Sequence, residues 1–196
     1  MSLFHAFKAL AQGCVVAARD FRELPNAFLQ KDPAARSKAE VILLYPGFRA
    51  VVAARFAHEL WKQGNSFSAR AICEVSRVLT GIEIHPGAQL GRRVVIDHGM
   101  GIVVGETAII EDDVVIYQGV TLGGTLLIKE KRHPTIRTGS VIGVGACVLG
   151  DIEVGPEARV GAGAVVVKAV APGTSVGGIP AVVLNSRHLR SIKSKE

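Results

Sequence analysis

Two different periods of apolar residues divide the chain. Between residues 47 and 63, Phe48, Val52, Phe56 and Leu60 recur every four positions, and this single stripe predicts a helix that Gly64 ends. A further helix is expected over 68–80, with Ile72, Val75 and Leu79 facing inward and Gly81 as its stop. Upstream, 3–21 reads as a helix, and Asp32-Pro33 opens a shorter one, with Asp as cap and Pro at the first helical position.

Beyond Gly81 the period becomes six. Ile84, Leu90, Ile96 and Ile102 follow it, then Ile110, Ile116 and Leu122, then Ile136, Ile142, Val148, Val154, Val160 and Val166. Gly often comes directly after the anchor (Gly91, Gly123, Gly143, Gly155, Gly161), and four places after it stands a small or branched residue such as Ala88, Val114, Ser140 or Ala164. Neither the helical nor the strand period gives this spacing. A β-coil of short strands and tight corners does: each anchor points into the tube, and each coil covers the apolar rim of the one before. The fold class is therefore α+β, with a helical N-terminal part over 1–81, a parallel β-helix of hexapeptide repeats over 82–185 and a basic tail over 186–196. Two gaps break the register. The gap of eight between Ile102 and Ile110 predicts a two-residue bulge at a corner, and the gap of 14 between Leu122 and Ile136 predicts an excursion over 124–134. Loops that leave a rigid scaffold commonly carry binding and chemistry.

Composition narrows the function classes. The net charge is +6, but the basic residues are scattered apart from Arg187, Arg190, Lys193 and Lys195, a tail that reads as solvated. Nucleic-acid binding is therefore not expected, although a basic surface would attract a polyanionic cofactor. Cys14, Cys73 and Cys147 lie far apart with no CxxC pair, which fits a reducing cytosol better than a disulfide framework or a zinc knuckle. Residues 1–21 are interrupted by His5 and Lys8 and lack a basic n-region, so they do not read as a signal peptide. No apolar run is long enough to cross a bilayer, and a cytoplasmic location without membrane contact is expected.

Among the histidines, His5, His58, His85 and His188 read as surface or packing residues. His98 differs, because it stands in Ile96-Asp97-His98-Gly99-Met100-Gly101. The two glycines allow a ligand close to the backbone, and Asp97 adds a carboxylate. Glu83 lies 15 residues earlier, which three hexads per coil would bring near His98 on an adjacent level. Such a pair could be a catalytic dyad, the carboxylate fixing the tautomer of a general base, or a structural ion pair; the residues alone leave both open. In the excursion, Arg132-His133-Pro134 offers a planar fork suited to a carboxylate, or with Lys129 and Lys131 it is a solvated basic loop.

Several segments appear in order: Asp32-Pro33-Ala34-Ala35, Tyr45-Pro46-Gly47-Phe48, Ile84-His85-Pro86-Gly87-Ala88, Ile96-Asp97-His98-Gly99 and Val104-Gly105-Glu106-Thr107. Gln118-Gly119-Val120-Thr121-Leu122-Gly123-Gly124-Thr125, Arg132-His133-Pro134 and Gly177-Gly178-Ile179-Pro180-Ala181 follow. Together, from about residue 32 to 183, they resemble the serine O-acetyltransferases. The resemblance implies a left-handed parallel β-helix that makes O-acetylserine and CoA from L-serine and acetyl-CoA, a step of cysteine biosynthesis.

By the same resemblance His98 is the general base for a direct attack without an acyl-enzyme, oriented by Glu83, a position often Asp in the family. Asp32 and Asp97 take the serine ammonium, Arg132 its carboxylate, and His133 positions the substrate. Gly124, Thr125, Val144, Gly145, Ala162, Gly163 and Lys168 are the positions expected along CoA, although each Gly and Ala reads equally as a β-helix corner. No metal is implied. Homotrimers are implied, with His98 of one subunit and the Arg132-His133 loop of its neighbour completing each site, and feedback inhibition by cysteine.

The chain departs from the family in three places. The excursion carries Leu126-Leu127-Ile128 where Gly and Lys are usual. The helical part is shorter than in the long forms, which join two trimers into a hexamer, so a trimer and a dimer of trimers both stay open. The tail ends Ser194-Lys195-Glu196, whereas members that dock into cysteine synthase typically end in isoleucine, so that complex is not expected. Beside a catalytically dead, binding or scaffolding relative, against which the set Asp32, Asp97, His98, Arg132 and His133 speaks, two rivals remain. One keeps the cofactor with a sugar, antibiotic or homoserine acceptor. The other is a zinc hydratase of the γ-carbonic anhydrase type, which needs a close i, i+5 histidine pair that the chain lacks.

Overall fold

The structure, a computed structural model, describes residues 3–184, with side chains from Lys8 onward; the tail at 186–196 and His188 lie outside the described residues. Four helices come first: α1 (Leu3–Lys31), α2 (Lys38–Leu44), α3 (Pro46–Lys62) and α4 (Ser66–Thr80). α1 runs past its expected end at 21 and contains Pro25. Leu24, Ala27 and Phe28 on that stretch are buried, and their packing outweighs the one backbone donor that proline lacks.

Asp32-Pro33 does not open the next helix. Ser37 caps α2 instead: its Oγ accepts the Glu40 N–H at 3.1 Å, while Glu40 Oε2 accepts the Arg36 N–H at 3.0 Å. This is close to the capping box that Ser37-Lys38-Ala39-Glu40 spells. On α3, Phe48 and Leu60 are buried, with Val52 and Phe56 half-buried. α4 starts under Asn65 and stops at left-handed Gly81. Its expected inward face faces inward only in part. Ala69 is buried and Ile72 half-buried, but Val75 and Leu79 are 60% and 70% exposed. They line an open apolar groove with Arg49, Ala53 and Ala71. The periodic stripe marks a face that the described residues leave open.

Fifteen short strands follow. The first five are β1 (Glu83–Ile84), β2 (Gln89–Leu90), β3 (Val95–Asp97), β4 (Val103–Val104) and β5 (Ile109–Ile110). Next come β6 (Val115–Tyr117), β7 (Thr121–Gly123), β8 (Thr135–Ile136), β9 (Val141–Ile142) and β10 (Cys147–Leu149). The last are β11 (Glu153–Val154), β12 (Arg159–Val160), β13 (Val165–Val166), β14 (Ser175–Gly177) and β15 (Val182–Val183). They form three faces: β1-β4-β7-β10-β13, β2-β5-β8-β11 and β3-β6-β9-β12-β14. Neighbours on each face pair in parallel, one coil apart, and β15 adds to β14 antiparallel. The chain is thus α+β, four helices and a left-handed parallel β-helix.

Anchors stack on anchors: Ile96 on Ile116, Ile116 on Ile142, and Ile142 on Val160. Ile110, Ile116, Leu122, Ile136, Ile142, Val148 and Val154 are at most 1% exposed. Each such side chain contributes about 1.5–3 kcal/mol of burial.

One anchor is corrected. Val104, not Ile102, pairs with Ile84 below and Leu122 above. Ile102 is buried too, but it takes the inward place two residues before the anchor, as Ala88 and Val94 do in other repeats. The two extra residues therefore lie between Ile96 and Val104, in the segment that holds His98. There His98, Gly99 and Gly101 all have positive φ, 58°, 88° and 76°, and make the wider corner. Spacing could not separate Ile102 from Val104, because both are aliphatic and both point inward. The second gap falls where expected, and the loop it feeds exposes Leu126, Leu127 and Ile128.

The helices cap the first coil, and a continuous core runs from Leu24, Phe28 and Phe48 through Ile82 and Ile96 to Val176. Gly47 sets the closest approach. A Cβ there would lie 2.0 Å from the Ile96 carbonyl oxygen, so only glycine lets the start of α3 rest on β3. The buried Arg55 guanidinium fastens the same junction, donating to Asp20 Oδ1 at 2.5 Å and to the Gly91 carbonyl.

Candidate active site

Three edges join the three faces, and the expected site residues fall on two of them. His98 occupies the edge where the chain passes from β3 to β4. Its side chain is 71% exposed, and Asp97 Oδ1 stands 4.0 Å from Nε2. The close seat of α3 on Ile96 brings Tyr45 to the same corner. The Tyr45 O–H donates to Asp32 Oδ2 at 2.8 Å, and Asp32 Oδ1 accepts the Ala34 N–H at 2.8 Å. Burial first, then the hydrogen bond to Asp32, pushes the Tyr45 hydroxyl up to about 12, with the charges of Asp32, Glu40 and Asp97 adding to it. Asp32 binds this hydroxyl and the charge of Asp97 also acts on it, so the surroundings of Tyr45 are anionic, a setting that suits an ammonium group.

Glu83 is exposed at the start of β1 and shares a shallow depression with Arg70, Cys73, Glu74 and Arg77. Among the described residues it makes no hydrogen bond or ion pair with His98; the carboxylate within 4.0 Å of that ring is Asp97's.

Arg132 and His133 lie on another edge, where β4 passes to β5 and the 124–134 loop returns to β8. Arg132 Nη2 donates to Glu106 Oε2 at 2.5 Å, and the guanidinium holds the Glu106 carboxyl below its ordinary range. The His133 ring is buried, with Thr107 against Nδ1. Burial, then the neighbouring charges of Arg132 and Lys131, lowers its proton affinity, so the ring is neutral at pH 7. Gly105 makes room for it, since a Cβ there would stand 2.0 Å from Cδ2. His85 sits on this edge as a packing residue, edge-on to Trp61 at 5.0 Å, with Nδ1 accepting the Gly87 N–H.

The short strand β4 separates the two groups. About four extended residues span from one edge to the other, roughly 13 Å. A single chain therefore does not bring His98 together with Arg132 and His133.

The positions expected along CoA divide the same way. Val144, Gly145, Ala162 and Gly163 are exposed on the His98 edge. There Gly101, Gly119, Gly145 and Gly163 stack with φ between 65° and 76°, and among the described residues, their chain neighbours aside, no atom lies within 4 Å of a Cβ built on Gly145 or Gly163. This leaves a bare strip of backbone beside the histidine. Gly124, Thr125 and Lys168 are exposed on the other edge. Tyr45, Glu106 and Thr107 are the contacts that sequence reasoning missed. They lie inside segments singled out by resemblance, but they carry no periodic or compositional signal of their own. Among the described residues no three His, Cys, Asp or Glu side chains are grouped to hold a metal ion, and no single helix is long and apolar enough to cross a membrane.

No family model matches the chain. Whole proteins do. The serine acetyltransferase of Mycobacterium tuberculosis is 53% identical over 159 residues, 81% of this chain and 69% of that relative. That of Helicobacter pylori is 56% identical over 153 residues, 78% of this chain and 90% of the relative. A solved serine acetyltransferase from Brucella abortus in complex with coenzyme A superposes with a TM-score of 0.83 at 41% identity, covering 86% of this chain and 67% of that one. A serine acetyltransferase in complex with cysteine gives 0.83 at 39% identity, covering 92% and 73%. With identity and coverage of this level, the chain belongs to the serine acetyltransferase family.

Proposed function

We propose that this chain transfers the acetyl group of acetyl-CoA to the hydroxyl of L-serine, giving O-acetylserine and CoA, and that it does so in the cytoplasm as a homotrimer. The observation that carries this reading is the division of one set of chemistry between two edges of the β-helix, in a chain 53% identical over 159 residues to a serine acetyltransferase. An ammonium niche and an exposed imidazole stand on one edge, a guanidinium and a neutral imidazole on the other. Packing the first edge of one protomer against the second edge of its neighbour would bring all four to one groove. The relatives in complex with CoA and with cysteine support acetyl-CoA and an amino acid as the two ligands, since cysteine differs from serine by one atom.

In this mechanism the β-helix, 82–185, carries the chemistry, and the helical part, 1–81, contributes Asp32. Asp32 and Asp97 hold the ammonium, and Arg132 and His133 the carboxylate. His98, with Glu83 or Asp97 to orient it, takes the proton as the serine oxygen attacks the thioester carbonyl carbon. Backbone N–H groups hold the oxyanion. The C–S bond then breaks, and the CoA thiolate takes the proton from His98. CoA lies along Val144, Gly145, Ala162 and Gly163 of one protomer and Gly124, Thr125 and Lys168 of the next. Covering His98 in the trimer removes water from the reacting atoms. L-cysteine competes for the serine site. The open groove between α3 and α4 and the apolar loop tip at 126–128 are faces for a neighbouring protomer.

The test is thiol release from acetyl-CoA by the purified protein. Release that depends on L-serine, with little for L-homoserine or no acceptor, is expected, and His98→Ala should lower turnover by about 10²–10⁴-fold with the fold intact. Release with a different acceptor alone would overturn the substrate, and undiminished turnover by His98→Ala would overturn the mechanism.

A further inference from the structure

One side chain holds the Arg132-His133 dipeptide in place. Thr107 Oγ1 accepts the backbone N–H of Arg132 at 3.0 Å and that of His133 at 3.1 Å, and it stands 2.9 Å from His133 Nδ1. The Thr107 backbone N–H donates to the same Nδ1 at 3.2 Å. A hydroxyl has two lone pairs and one proton. With both lone pairs taken by N–H groups, its proton is left for Nδ1. Nδ1 then accepts from the hydroxyl and from the amide, so a neutral ring must carry its hydrogen on Nε2. Protonating Nδ1 would point an N–H at the Thr107 N–H, which opposes the charged form as burial and Arg132 do. Nε2 has no hydrogen-bond partner among the described residues; it sits over Gly105 and faces Gly124, where a built Cβ lies 3.5 Å away.

We infer that Thr107 is a positioning residue, which fixes His133 as an Nε2–H donor for the carboxylate of the amino-acid substrate beside Arg132. The inference rests on the acetyltransferase reading for the identity of the acceptor, but not for the state of the ring. Thr107 acts through His133 and touches no reacting atom.

The experiment compares the parent protein with Thr107→Val and Thr107→Ser, full length, by imidazole ¹⁵N NMR and by steady-state kinetics. In the parent the His133 signals should show a bare Nδ1 and a protonated Nε2, and Ser should keep that pattern. Val, with the methyl shape but no hydroxyl, should give a mixture of tautomers. KM for L-serine should rise about tenfold in Val, the effect of one lost hydrogen bond, with KM for acetyl-CoA unchanged and Ser close to the parent. A protonated Nδ1 in the parent overturns the inference even if Val fails to fold. So does a Val variant with parental tautomer and KM, or a Ser variant as impaired as Val. If the parent shows no turnover with L-serine, the acetyltransferase reading fails while the ¹⁵N pattern still decides the role of Thr107.

Discussion

Backbone strain and a carboxylate niche define the His98 corner residue by residue. A non-glycine residue at φ 58° costs on the order of 1–3 kcal/mol, and the corner keeps it because Gly99 and Gly101 absorb the rest of the turn. The partner side chains are just as specific. Tyr45 spends its only proton on Asp32 Oδ2, which holds that carboxylate in place. Tyr45→Phe should therefore raise KM for L-serine about three- to tenfold, and Asp32→Asn more, while KM for acetyl-CoA stays level in both. Equal effects on both substrates would mean that the niche only supports the fold. At this scale the sequence marks a candidate only where its signal is local: His98 stands out through the adjacent Asp97 and glycines. Tyr45, Glu106 and Thr107 were not legible, because their partners Asp32, Arg132 and His133 are distant in sequence and no spacing rule connects them.

Secondary-structure elements follow from periodicity wherever the buried surface is internal to the chain. The six-residue register placed twelve of thirteen anchors, and it failed only at Ile102, where a bulge shifted the phase and a second aliphatic stood ready. The helical period misjudged α4, since Val75 and Leu79 obey it but stay exposed among the described residues. α1 overran its predicted end because buried Leu24 and Phe28 count for more than Pro25. Stacking makes each anchor answer for two coils. Ile142→Ala, at a fully buried position between Ile116 and Val160, should destabilise by about 2–5 kcal/mol in denaturant unfolding. A loss below about 1 kcal/mol would contradict stacking as the source of stability.

Charges on the outer faces add a pH dependence. Arg137 donates to Glu111 and Glu153 at 2.6 Å each, Arg93 donates to Asp113 at 2.5 Å, and each carboxylate is held below its ordinary value by its arginine. A depressed folded-state value means stability that is fully present above the unfolded value, 4.5 for Glu and 3.8 for Asp, and is lost as pH falls through the folded one. Tm should begin to fall below about pH 6.5, where the unfolded chain protonates the histidines that burial keeps neutral in the fold, His85 and His133. It should fall further below about 4.5 as these carboxylates protonate. A Tm unchanged down to pH 3 would show that these pairs contribute nothing.

For the whole molecule, the proposed function calls for an assembly. One protomer of 20.7 kDa presents two half-sites on separate edges, an apolar groove along α3 and α4, and an apolar loop tip, and a trimer can use all of them. The most direct test is subunit complementation. His98→Ala and Arg132→Ala are prepared separately, each assayed at low L-serine where both should be near silent, and then co-expressed as mixed oligomers. If each site takes His98 from one protomer and Arg132 from its neighbour, random mixing makes about one site in four wholly native. About a quarter of parental L-serine-dependent thiol release should return. Mixed oligomers that stay as silent as the single variants would contradict a shared site, and with it the account of how the two edges work together.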